Sequence, residues 1–157
     1  MTSRLRTIKV LMSEASTTGL GRTAARLARV TERTLGELGL SLPQYRVLSV
    51  LSGGSAAATA VADHLAVSRP NVTVIVDGLV ERGWVERRPD AADRRRVSHA
   101  LTESGRAALG AADDAIEARL GGILAHLPPA RAKQATSGLA LWTTALDAAR
   151  DAKVATR

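Results

Sequence analysis

Apolar positions recur at helical spacing over most of the chain. From Gly19 to Leu38, Leu20, Ala24, Leu27, Thr31, Leu35 and Leu38 share one face, and Arg22, Arg26, Arg29 and Arg33 share the opposite one. That spacing predicts a strongly amphipathic helix, closed by Gly39, since glycine tolerates the left-handed turn after a helix end. Ser41 or Leu42 caps a second helix with Pro43 in its first turn; Tyr45, Val47, Leu48 and Leu51 point inward and Gly53-Gly54 ends it. Ala57 to Leu65 predicts a short third helix packed through Ala58, Val61, Ala62 and Leu65. Ala66-Val67 is then a turn, and Arg69 to Arg82 a fourth helix buried through Val72, Ile75, Val76 and Leu79 and ended by Gly83. Ser68 stands before it as a capping hydroxyl, and Pro70 occupies a position where a missing N–H costs little.

The helical period breaks once. Trp84-Val85-Glu86-Arg87-Arg88 and Val97-Ser98-His99-Ala100-Leu101 are short strand candidates joined by Pro89 to Arg96. Two helices joined by a tight turn, the second opening on polar residues, have the helix-turn-helix pattern, which many helical hairpins share. A ribbon directly behind it reads as a wing. The wing tip carries Asp93 beside Arg94, Arg95 and Arg96, and a narrow minor groove attracts arginine through its enhanced negative potential. The plainer alternative is a solvated hairpin loop with surface ion pairs.

Beyond the ribbon the helical period returns. Thr102 is a candidate cap for a long helix in which Leu109, Ala112, Ile116, Leu120, Ile123 and Leu127 keep helical spacing as far as Pro128-Pro129, which break it. In the last helix Ala135, Leu139, Trp142, Leu146 and Ala149 step by four, three, four and three, the narrow stripe of helices packing along their length. The expected architecture is mainly α with a small β-wing: a winged helix-turn-helix plus N- and C-terminal dimerisation helices. Residues 1–18 form an N-terminal arm, partly helical or disordered, in which Arg4, Arg6 and Lys9 either touch phosphate or solvate a frayed terminus. Residues 19–40 form an N-terminal dimerisation helix and 41–101 the DNA-binding unit, with a reading helix over about 69–82 and a wing over about 84–101. Residues 102–152 form C-terminal dimerisation helices and 153–157 a tail. Leu20, Leu27, Leu139, Trp142 and Leu146 are the candidate dimer contacts.

Composition narrows the chemistry. The chain has 157 residues, 45% hydrophobic but only 2% aromatic and without Phe, so aliphatic side chains must supply the core. The net charge of +7 suits a polyanionic partner. Residues 1–46 hold eight Lys/Arg against three acids, leaving fourteen against twelve for the remainder. The reading unit is therefore not a bulk basic patch, and its positive charge must be locally placed. Cysteine is absent, which removes disulfides, thiol redox sensing and thiolate metal sites. No stretch approaches the roughly 20 apolar residues of a membrane span, and the N-terminus lacks a secretion signal's apolar core, so a cytoplasmic location is expected. His64, His99 and His126 are isolated, and no glycine-rich phosphate loop occurs, which argues against an enzyme and against a metal site or other cofactor. Single-strand RNA readers need aromatic platforms, and this chain has two Trp and one Tyr.

These residues resemble a known family. Leu42-Pro43-Gln44-Tyr45-Arg46-Val47-Leu48, Val67-Ser68-Arg69-Pro70-Asn71-Val72-Thr73, Gly83-Trp84-Val85-Glu86-Arg87, Asp93-Arg94-Arg95 and Leu101-Thr102-Glu103-Ser104-Gly105-Arg106 are similar to the winged-helix core of the multiple-antibiotic-resistance regulator (MarR) family. The likeness covers roughly Gly19 to Ala149 and is far more specific than a lone helix-turn-helix. It implies an obligate homodimer with interlocked terminal helices, two reading lobes on a near-palindromic double-stranded operator, and repression released by a small aromatic or anionic ligand. Two features depart from the family. Many relatives have glycine where this chain has Ala66, and an alanine is tolerated there if the backbone stays in an ordinary region. The absence of cysteine excludes the family's thiol-oxidation mode of sensing.

Under this resemblance Ser68, Arg69, Asn71 and Thr73 face the major groove. Arg69 pairs with guanine and Asn71 with adenine, a good bidentate contact being worth roughly 1–3 kcal/mol of discrimination; Ser68 and Thr73 hold phosphate. Arg95 enters the minor groove with Asp93 fixing its direction, and Arg94 or Arg96 lies on the backbone. Plainer roles stay open, with Ser68 only capping and Asn71 only solvating the first turn. The family's ligand pocket points to Tyr45 and Arg46, and to Trp142 beside them, although Tyr45 also fits a core role and Trp142 dimer packing. The competing functions are constitutive or architectural DNA binding without an effector, and, further off, a small-molecule-binding protein or enzyme.

Overall fold

The computed structural model describes residues 19–89 and 96–154. In chain order the elements are α1 (Leu20–Glu37), α2 (Leu42–Ser52), α3 (Ala58–Leu65), α4 (Arg69–Glu81), β1 (Val85–Pro89), β2 (Val97–Leu101), α5 (Glu103–Leu124) and α6 (Pro129–Val154). The chain divides after Ile116 into two compact units.

The first unit is a winged helix-turn-helix. Its core is aliphatic: Leu35 and Leu40, then Val47, Leu48 and Leu51 of α2, Val61, Ala62 and Leu65 of α3, and Val72, Val76 and Leu79 of α4. Val85 and Leu101 close it from the ribbon, and Leu109 and Ala112 from the start of α5. Ser41 caps α2 in a reciprocal box, its hydroxyl accepting from the Gln44 N–H at 3.3 Å while the Gln44 side chain accepts from the Ser41 N–H at 3.0 Å.

Three helices end in the same turn. After α1, Gly39 N–H donates to Gly36 and Leu40 N–H to the Leu35 carbonyl, both at 3.0 Å. After α4, Gly83 and Trp84 repeat the pattern onto Val80 and Leu79. After α3, Ala66 and Val67 repeat it onto Asp63 and Ala62. This arrangement needs a left-handed residue just past the helix, and Gly39 (φ 66°), Gly83 (φ 69°) and Ala66 (φ 54°) supply it. The ordinary backbone expected at Ala66 is thus not what the fold adopts. The turn into α4 demands the left-handed region, and an L-residue there carries a steric cost of roughly 1–2 kcal/mol.

β1 and β2 pair antiparallel from Val85 opposite Leu101 to Pro89 opposite Val97. The first strand starts one residue later than the sequence suggested, because the Trp84 N–H is taken by the Leu79 carbonyl. It also runs through Pro89, on the edge side where a missing N–H removes no ladder bond. β2 has a second neighbour: Ala56 and His99 exchange backbone hydrogen bonds of 3.0 and 2.8 Å. With partners on both sides, Ser98 to Leu101 are all buried instead of alternating.

The ribbon is clasped to α5. Thr102 Oγ1 donates to the Gly83 carbonyl at 2.7 Å and accepts from the Gly105 N–H at 3.0 Å, and Ser104 Oγ donates to the same carbonyl at 2.8 Å. Thr102 is the cap the sequence suggested. Gly105 is there for space, since a Cβ on it would sit 1.9 Å from the Trp84 carbonyl oxygen. Arg82 adds a further tie: its guanidinium lies 3.7 Å from the Trp84 ring centroid and donates to the Gly39 carbonyl at 2.7 Å.

The second unit holds the end of α5 and α6. α5 stops at Leu124, before Leu127 and the proline pair expected to break it. Pro129 instead opens α6, its fixed φ suiting a first helical position, and the Pro128 carbonyl accepts from Arg131 and Ala132 N–H at 2.9 and 3.0 Å. α6 is 26 residues long, and none of its described side chains is buried. No helix among the described residues is long and apolar enough to cross a membrane.

Candidate nucleic-acid interface

The candidate reading element is α4, and the turn before it sets its exposed start. Ser68 takes the N-cap position with extended backbone (φ −70°, ψ 147°), and its carbonyl accepts from the Val72 N–H at 3.2 Å. Its side chain makes no cap bond, contrary to the capping hydroxyl read from the sequence. A cap oxygen accepts from the second or third helical N–H. Here the second residue is Pro70, which has none.

Arg69 and Asn71 are both exposed in the first turn of α4. Thr73 is exposed too, and its hydroxyl donates to the Arg69 carbonyl at 3.1 Å. The buried row Val72, Val76, Leu79 holds the opposite face in the core. Val74 is 73% exposed, an aliphatic side chain on the outer face that the sequence reading passed over.

The ribbon stands beside α4 and is pinned to it. Arg87 of β1 pairs with Asp77 of α4, both side chains about half exposed. Solvent holds the worth of such a pair to within about 1 kcal/mol. Its use is geometric, since it fixes the ribbon's bearing on the reading helix. Nothing local in the sequence joins residues ten apart across a helix end and a turn, so this contact was not legible there. Arg88 pairs with Glu86 along β1. Arg96 is exposed at the base of β2, whereas Asp93, Arg94 and Arg95 lie outside the described residues.

Between α3, α4 and the ribbon lies an open cavity of about 340 Å³, lined in part by Thr59, Thr73, Asp77, Arg87, Arg96 and His99. The His99 side chain is 7% exposed and its Nδ1 has no hydrogen-bond partner among the described residues. Burial lowers its pKa and the Arg87 charge adds to that, against opposing contributions from the Ala56 backbone and Asp77. His99 is therefore uncharged at neutral pH, and the positive charge of this cavity comes from its arginines.

The remaining candidates separate by unit. In the first unit the Tyr45 hydroxyl donates to the Asp113 carboxylate at 2.7 Å and Arg46 Nη2 donates to the Leu65 carbonyl at 3.1 Å. Both bonds brace α2, the first against α5 and the second against the end of α3. Leu20 is 45% exposed and Leu27 half-buried, while Arg22, Arg26, Arg29 and Arg33 all face solvent. In the second unit Leu139, Trp142 and Leu146 are 50%, 55% and 65% exposed, and Leu141, off the expected stripe, is also exposed. Among the described residues no three His, Asp or Glu gather into a cation site.

A helix-turn-helix with an exposed polar start, followed by a two-stranded wing, defines a winged-helix DNA-binding protein. Comparison with known proteins agrees. The MarR family model matches residues 38–96. YfiV of Bacillus subtilis (strain 168), described as an uncharacterized HTH-type transcriptional regulator, is 30% identical over 129 residues, spanning 82% of this chain and 79% of that protein. Among solved structures, CouR from Rhodococcus jostii RHA1 bound to p-coumaroyl-CoA is 26% identical with a TM-score of 0.64, over 82% of this chain and 91% of CouR. The Mycobacterium tuberculosis MarR family protein Rv2887, in complex with p-aminosalicylic acid, is 25% identical with a TM-score of 0.64, over 79% of this chain and 95% of Rv2887. The chain belongs to the MarR family of transcriptional regulators.

Proposed function

We propose that the protein is a homodimeric, sequence-specific repressor that binds a near-palindromic double-stranded operator near its own promoter and is released by a small aromatic or anionic ligand. The observation that carries the reading is the reading helix itself. Its buried row is held in a complete core, its first turn presents Arg69 and Asn71 to solvent, and the ribbon is pinned beside it through Asp77 and Arg87. Arg69 and Asn71 serve as base readers, Ser68 and Thr73 as phosphate contacts. Ser68 has its hydroxyl uncommitted to the helix, which suits that role. Arg95 enters the minor groove, oriented by Asp93, with Arg94 and Arg96 on the backbone.

Dimerisation is proposed through α6 and α1, by way of Leu139, Trp142, Leu146, Leu20 and Leu27. The ligand class draws on two relatives, since p-coumaroyl-CoA on CouR and p-aminosalicylic acid on Rv2887 both carry a substituted aromatic ring and acid groups. Tyr45 and Arg46 are the candidate ligand contacts, and binding there competes with their bonds to Asp113 and Leu65.

The test is titration of the upstream DNA against a scrambled duplex at matched salt. A specific regulator prefers its own DNA by at least about a thousandfold, and Arg95→Ala weakens that binding. Equal affinity for both duplexes identifies an architectural protein instead. Unchanged affinity in Arg95→Ala removes the wing from the account.

A further inference from the structure

We infer that Val74 is a specificity-determining residue that reads thymine, packing against the C5-methyl group of a thymine in the major groove of each operator half-site. The inference rests on the reading-helix assignment above and adds a base preference to it.

At about 100° per residue, Val74 lies almost diametrically opposite the buried row Val72, Val76 and Leu79. It is therefore the crest of the outer face of α4. Its side chain is 73% exposed, more than any other large hydrophobic among the described residues. A single exposed aliphatic residue is ordinary on a protein surface; its surroundings are what give this one meaning. Its neighbours on the face are Pro70 and Asn71, one turn before, and Asp77 and Gly78, one turn after, of which only Asp77 is charged. A Cβ on Gly78 would meet nothing within 4 Å, so the helix stays slim on the side that Val74 crowns. Asp77, the nearest acid on α4, is engaged by Arg87. The crest is thus a small apolar ridge of Pro70, Val74 and Gly78, flanked by Arg69 and Asn71 at the helix start and by the paired Asp77 one turn on, with Glu81 exposed two turns beyond Val74.

Such a ridge is unsuited to phosphate, which needs cations or N–H donors. In the major groove the edges of guanine, cytosine and adenine offer only donors and acceptors, and the one apolar group is the methyl of thymine. Valine is also a poor choice for an exposed helix position on intrinsic grounds, because its branched Cβ loses rotamer freedom and no packing compensates. A partner outside the chain that buries the side chain removes that disadvantage. Placed one turn beyond Asn71, Val74 reads a base deeper into the half-site than the residues at the helix start.

Deoxyuridine differs from thymidine only by that methyl, so it isolates the contact. The experiment titrates wild-type protein and Val74→Ala on the upstream operator duplex and on duplexes with each thymine replaced in turn by deoxyuridine. For the wild type, one symmetry-related thymine pair is expected to matter, with affinity falling about fourfold for one replaced half-site and about fifteenfold for both, the burial of one methyl group each. Val74→Ala, a surface change to a better helix former, binds the thymine duplex more weakly and is indifferent to uracil at that pair. A specific wild-type complex whose uracil penalties are the same in Val74→Ala overturns the assignment and leaves the regulator standing. Absence of any sequence preference in the wild type overturns both.

Discussion

The winged-helix unit and the last helix use the same aliphatic alphabet to opposite ends. In the first, Leu35, Leu48, Val61, Val72 and Leu79 are completely buried, and each helix of the helix-turn-helix meets its neighbours within the chain. In α6, Leu139, Leu141, Trp142 and Leu146 are all at least half exposed over a helix of 26 residues. Isolated helices are marginal in water and draw most of their stability from packing an apolar face. The first unit satisfies that condition internally. The second leaves its large apolar side chains exposed, and on that ground we propose it as the dimer surface.

The largest effect expected from breaking this contrast lies within the reading lobe. Gly105→Ala places a methyl against the Trp84 carbonyl oxygen, 1.9 Å away and fixed by the Thr102 N–H, which donates to it at 3.1 Å. We expect a loss on the order of 3 kcal/mol or more, read by urea unfolding, and DNA binding lost with the fold. Tolerance within about 0.5 kcal/mol would mean that α5 does not sit this close to the ribbon.

Next comes the exposed stripe. Leu146→Asp removes an apolar contact and buries a charge in the proposed dimer, so it should weaken association by about 2 kcal/mol or more, seen as monomers in sedimentation velocity at micromolar concentration. The reading lobe should keep its helices in the monomer. A variant that stays dimeric assigns the interface elsewhere.

What the sequence makes legible follows the same division. The seven-element order from α1 to α5 was legible because buried aliphatics repeat at helical spacing and glycine marks three of the helix ends, at Gly39, Gly53 and Gly83. The two-strand ribbon was legible from Trp84 to Leu101 to within one residue. What escaped were long-range and conformational facts: the Asp77–Arg87 pair, the bridge from Ala56 to His99, and the left-handed backbone at Ala66. Each depends on where segments meet in space or on a dihedral angle that composition does not announce. Ser68 departs from the expected cap for a related reason, because the residue type fits a cap while Pro70 removes one of its targets. Val74 falls off the buried spacing of Val72, Ile75, Val76 and Leu79, but a valine among other valines carries no polar group to single it out as a reader.

A smaller effect probes how the lobe holds its wing. His99 has a pKa lowered in the folded state, chiefly by burial. The unfolded chain therefore binds the proton more readily, and stability is full above the unfolded pKa of about 6.5. It declines as pH falls below that value towards the lower folded pKa. Melting temperature should drop between pH 7.5 and pH 5.5, less steeply in His99→Leu. Parallel profiles for the two proteins would show that His99 does not titrate in this window.

The smallest expected effect is a gain. Ala66→Gly relieves the left-handed turn after α3, offset in part by the greater freedom of glycine in the unfolded chain, for a net stabilisation of at most about 1 kcal/mol. Thermal unfolding measures it, and a clear loss would show that the turn does not need the left-handed region. α4 should then present the same residues from a steadier base.

In the proposed dimer one internally complete reading lobe is used twice. The most direct test is the stoichiometry on DNA, by native mass spectrometry of the protein saturating the duplex from its own upstream region. Two chains per duplex are expected at saturation, on half-sites one helical turn apart, about 34 Å, with shortening to a single half-site abolishing tight binding. One chain per duplex at saturation, or equal binding to a single half-site, would contradict that twofold use.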